Sequence, residues 1–79
     1  MSPTVFKIGS YRFFFFSREE ERIHIHVYHP DGEAKFWLEP NIELERNYKL
    51  SDKQLNEIKK IIEENEDEIK NSWKEHFGN

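Results

Sequence analysis

Two histidines, His24 and His26, stand two residues apart in the run RIHIHVYH. On an extended strand, residues at that spacing share a face, with Cβ atoms about 6.5–7 Å apart. Their imidazoles can both reach one zinc ion, at about 2.0–2.1 Å from each nitrogen. They can also act as a general acid and base, with Lys35 and Arg22 holding a phosphate. A metal would need a third ligand. His29, Asp31 and Glu33 are near in sequence, but the pattern fixes none of them beside the pair. The plainer reading makes His24 and His26 half-exposed strand residues that bond to neighbours or stack on Trp37. A middle reading makes them an interface pair that titrates near neutrality. HxH alone is a weak motif, so the expectation is no cofactor, with zinc on His24 and His26 as the alternative.

The elements that must carry these residues follow from periodicity. Phe6 and Ile8 share one side of a first strand, and Gly9-Ser10 is a short turn. Tyr11 to Ser17 is the second strand, made apolar on both faces by four consecutive phenylalanines. A polar loop, Arg18–Glu21, leads to a third strand from Arg22 to Tyr28. His29-Pro30-Asp31-Gly32 joins it to a fourth, Glu33 to Leu38. Ile42 and Leu44 alternate with Glu43 and Glu45, which suggests a short fifth strand, with a helical turn as the rival. After Ser51 the period changes. Ser51-Asp52-Lys53-Gln54 reads as a capping box. Leu55, Ile58, Ile62, Ile69 and Trp73 then form a helical stripe, which Asn65 and Glu66 interrupt for one turn. Gly78 ends it. The expected fold is α+β in a single domain over residues 1–79. An antiparallel meander of four to five strands (about 3–45) is followed by one long C-terminal helix (about 52–77) packed on one face.

Parity assigns the faces. Ile23, Ile25 and Val27 point one way, and Arg22, His24, His26 and Tyr28 the other. In the fourth strand Ala34, Phe36 and Leu38 oppose Glu33, Lys35 and Trp37. A four-residue loop pairs Tyr28 with Glu33, Ile25 with Phe36 and His24 with Trp37, and only that register makes the apolar sets coincide. The helix covers the apolar set. The other face, with Arg22, His24, His26, Tyr28, Lys35 and Trp37, is then open to a partner. A straight helix over 52–77 would be about 39 Å long, longer than the strands, so Trp73 and Phe77 are expected on an overhanging end. Large apolar groups there point to a partner as well.

Composition bounds the function. Aromatic residues make up 15% of the 79-residue chain, more than a disordered segment carries. There is no cysteine, which removes disulfides and thiolate chemistry. No apolar run is long enough to cross a membrane, and the expected location is the cytoplasm. The net charge of −4 comes wholly from residues 39–79, with seven basic and eleven acidic side chains. An acidic helix is repelled by phosphate backbones, which argues against nucleic acid as the partner.

Taken in order, Pro3-Thr4-Val5, Phe13–Ser17, His24-Ile25-His26-Val27, Ala34–Leu38, Asn47-Tyr48, Leu55/Ile58 and Glu63-Glu64-Asn65 resemble a small bacterial family called domain of unknown function 4160. The resemblance covers nearly the whole chain. It implies no established activity, but a setting beside a second small protein, in the manner of toxin–antitoxin pairs. Two steps depart from the family pattern. Arg22-Ile23 stands where Pro-Pro is common, and Asn47-Tyr48-Lys49 lacks the usual glycine. The leading expectation is a small interaction module that binds a partner protein or itself, as a homodimer. Its surface would be Arg22, His24, His26, Tyr28, Lys35, Trp37, Trp73 and Phe77. The first alternative is a nuclease-like toxin with His24, His26 and Lys35 as catalytic candidates. The second is non-catalytic nucleic-acid binding. The balance leans away from an enzyme.

Overall fold

A computed structural model describes residues 4–16 and 21–78. Five strands run β1 (Thr4–Ile8), β2 (Tyr11–Phe14), β3 (His24–His29), β4 (Gly32–Trp37) and β5 (Glu43–Tyr48). They form one antiparallel sheet in sequence order. Two helices follow, α1 (Asp52–Glu64) and α2 (Glu66–Phe77). No helix among the described residues is long and apolar enough to cross a membrane.

Turn chemistry sets the hairpins. Gly9 has φ +59 between Ile8 and its partner Tyr11. That is the positive angle a type II′ hairpin needs at its first central position. At the next hairpin His29 pairs with Gly32, so only Pro30 and Asp31 are unpaired. The loop is tighter than expected, yet the pairs His24–Trp37, Ile25–Phe36 and Tyr28–Glu33 are those that parity demands. The fifth strand is present and runs on to Tyr48, with Glu45 bulging where the register shifts. Lys49 follows with φ 67, a left-handed conformation that glycine adopts without steric cost. The second strand stops at Phe14, short of the expected Ser17, which lies outside the described residues along with Arg18–Glu20.

One face of the sheet meets the helices. Phe13, Phe15, Ile25, Val27, Ala34, Phe36 and Leu38 are buried there against Leu50, Ile58, Ile62, Ile69 and Trp73. The Tyr11 hydroxyl donates to Glu57 Oε1 at 2.8 Å and ties β2 to α1. Ser51 and Gln54 form the capping box in both directions. Gly78 closes α2 in the left-handed conformation, its N–H donating to the Lys74 carbonyl at 2.7 Å.

The expectation of one long helix is corrected. At Asn65 the backbone leaves helical geometry, with φ −124 and ψ 22. The Asn65 side-chain Nδ2 donates to the Ile61 carbonyl at 2.8 Å. A side chain bonding one turn back in this way bends a helix. The bend removes the expected overhang. The longest dimension is 33 Å, and α2 folds against the end of the sheet where β3 begins. Trp73 is therefore a core residue, 2% exposed, and Phe77 is half-buried beside it.

Candidate functional site

The face without helices is built as three cross-strand rows, each mixing charge with aromatic area. Arg12, Tyr28, Glu33 and Tyr48 form the first. Phe14, His26, Lys35 and Arg46 form the second. His24, Trp37 and Glu43 form the third. Period two along each strand places them, because the alternate residues are spent on the core.

Cations lie on rings throughout. The Arg12 guanidinium is 4.6 Å from the Phe14 ring centre, Arg22 is 4.3 Å from Trp37, and Lys35 Nζ is 4.8 Å from the same indole. His26 stacks on Phe14 at 5.5 Å and meets Phe16 edge-on at 5.4 Å. Each such contact is worth roughly 0.5–2 kcal/mol, so the rows hold one another in place. Arg22 also donates to the Glu39 carbonyl at 2.7 Å and faces Glu43 at 3.4 Å. The bulge aims Glu45 inward, and its Oε1 lies 3.7 Å from Lys35 Nζ and 3.5 Å from Arg46. Those distances give Coulombic attraction without a hydrogen bond.

The expected surface residues divide into two groups. Arg22, His26, Tyr28 and Trp37 lie on the open face with at least part of the side chain accessible. His24 and Lys35 share that face but are 1% and 5% exposed. Parity places His24 correctly; its burial comes from α2, which rounds the sheet end and sets Trp73 at 5.1 Å from the imidazole. Trp37 at 5.7 Å and His26 at 5.2 Å enclose the rest. Lys35 is covered by Trp37 and Glu45. Phe77 contacts Trp73 at 4.3 Å and Phe15 at 5.9 Å, on the helix side. Trp73 and Phe77 therefore do not join the open face.

His24 Nδ1 lies 2.8 Å from the Arg22 carbonyl, so that nitrogen carries the proton and donates. His29 is on the opposite face, in tilted contact with the Tyr11 ring at 4.8 Å, and its Nδ1 accepts from the Asp31 N–H at 3.0 Å. Among the described residues no three of His, Asp and Glu converge on one point. A depression on the open face, lined by His26, Glu33, Ala34, Lys35, Arg46 and Tyr48, holds about 70 Å³. That is well below the roughly 300–1,000 Å³ of small-molecule pockets.

Three side chains protrude instead: Phe16, Tyr28 and Tyr48, at 49%, 45% and 61% exposure. Tyr48, Arg46 and Arg12 were missed by sequence reasoning. Parity along RFFF was enough to find Arg12. Tyr48 and Arg46 lie beyond the expected end of β5, past a bulge that breaks the alternation.

A family model described as a domain of unknown function (DUF4160) matches residues 10–74. No curated protein and no solved structure matches the chain significantly. The matched span takes in β2 through β5, all of α1 and most of α2, and with them every row of the open face. The chain belongs to the DUF4160 family.

Proposed function

We propose that this chain is an interaction module whose open sheet face binds a partner protein or a second copy of itself. The observation that carries the reading is the trio Phe16, Tyr28 and Tyr48. They stand out from a face otherwise locked by cation–aromatic and aromatic contacts. Protruding aromatics on a rigid, charge-dotted base are what protein interfaces use as anchors. A face whose depression holds only about 70 Å³ suits a flat partner better than a small substrate. A paired small protein, in the toxin–antitoxin manner, supplies such a partner.

Phosphodiester cleavage by His24 and His26 is less well supported. His24 is 1% exposed, enclosed by two indoles and a second imidazole. A general base must reach the proton it takes. The test is a calorimetric titration of the protein with the product of the neighbouring gene, using Tyr28→Ala/Tyr48→Ala as control. Two anchors at about 2 kcal/mol each predict a loss of affinity of roughly a thousandfold. Unchanged affinity in the double variant, or no complex and no self-association, would refute the reading.

A further inference from the structure

The break at Asn65 is confined to one residue. Its N–H is shared between the Ile61 and Ile62 carbonyls at 3.1 Å each, and its own carbonyl accepts from the Ile69 N–H at 3.0 Å. These bonds close α1 and open α2 at the same residue, and the apolar stripe stays in phase across it. Ile58, Ile62, Ile69 and Trp73 are spaced four, seven and four residues apart, which is one face of a continuous helix. The same segment is thus suited to a bent and to a straight form, separated by rotation at Asn65.

The straight form cannot satisfy itself. A continuous helix from Asp52 to Phe77 would be about 39 Å long, against a longest molecular dimension of 33 Å. Its α2 half would project about 18 Å from the sheet, taking Trp73 away from Phe15 and His24. A second straight copy has the same vacated seat and the same projecting segment. The known occupant of that seat is α2 itself, whose indole meets Phe15 edge-on at 5.4 Å. Reciprocal exchange closes about a two-fold axis and leaves no open end.

We propose that this chain forms a dimer with a second copy by exchanging α2, with Asn65 as the hinge. The exchange uses the helix side of the sheet end, so it is independent of the open face. Alanine at 65 favours the straight helix and glycine the bend, by about fivefold per hinge. Two hinges per dimer make the expected difference roughly 25-fold.

The experiment measures dimer dissociation by sedimentation equilibrium for Asn65→Ala and Asn65→Gly. An isotope-filtered Overhauser measurement on mixed labelled and unlabelled Asn65→Ala chains accompanies it. Exchange predicts a dimer roughly 25-fold tighter in Asn65→Ala, with a Trp73–Phe15 contact between chains. Equal dissociation constants, monomers in both variants, or a dimer whose Trp73–Phe15 contact stays within one chain would each overturn it. Adding Tyr28→Ala/Tyr48→Ala leaves α2 exchange unchanged; a dimer lost in that background belongs to the open face instead.

Discussion

Replacing Gly32 by alanine tests how β5 is held. Gly32 is buried at the start of β4 and its φ is not in the left-handed region, so backbone strain is not the issue. The obstacle is space. A Cβ built there overlaps the Tyr48 carbonyl oxygen, and the carbonyl carbons of Tyr48 and Lys49 both lie 3.1 Å away. All three atoms are backbone, so no side-chain rotation relieves the clash. The end of β5 must move outward, which opens the pairing of Glu33 with Tyr48. Overpacking costs about 1–3 kcal/mol, and a lost backbone hydrogen bond adds about 1 kcal/mol. A total near 3 kcal/mol corresponds to a fall in Tm of about 12–24 °C in a domain of this size. Gly9→Ala is the internal comparison. Nothing lies within 4 Å of a Cβ there, but φ is +59, so the cost is only the left-handed penalty of about 1–2 kcal/mol. Thermal and urea unfolding, followed by circular dichroism, ranks the two. If Gly32→Ala melts within about 4 °C of the parent, or if Gly9→Ala loses more, then the packing of β5 over Gly32 is wrong.

Three further measurements bear on the same structure. Trp73→Ala removes the indole between Phe15 and His24 and should cost about 3–5 kcal/mol in urea unfolding; a loss under about 1 kcal/mol would place Trp73 outside the core. Lys49→Gly releases a residue held at φ 67 and should raise stability by about 0.5–1 kcal/mol after the entropy cost of glycine; a drop in Tm would count against that backbone angle. Burial and the bond to Glu57 push the Tyr11 phenol up to about 12. Its neutral form is the one the fold favours, so its contribution is complete below pH 10 and is lost as the pH rises through about 12. Tyrosinate absorbance should show one late-titrating phenol that disappears in Tyr11→Phe, and three equal titrations would contradict the Glu57 contact.

Much of the sheet is legible in the sequence because one of its faces is buried. A one-residue slip would turn Ile25 and Phe36 to solvent, so the partners of His24 and Tyr28 follow from parity alone. The capping box at Ser51 is likewise local and readable. His24 shows where parity ends. It states the face of a strand residue but not what arrives around the end of the sheet, and here that is Trp73. The interruption at Asn65 and Glu66 is visible as a gap in the stripe. Its meaning depends on a single side-chain bond to Ile61 that no periodicity encodes. Gly32 reads as a turn residue, but the structure uses it because β5 crosses too close for any side chain.

The sheet order β1-β2-β3-β4-β5 also bears on how quickly the chain finds its fold. Every strand pairs with its neighbour in sequence, and the two tightest connections are two residues long. Closing such loops takes little chain entropy, so hairpins can form one after another, each templating the next. Contacts such as Tyr11 with Glu57, 46 residues apart, come only when the helices dock. Contact order is low for a protein with five strands, and folding should fall in the faster range of mixed α/β domains rather than the slow range of β-sandwiches. Helix docking would then be the late event that seals Trp73 against Phe15 and His24.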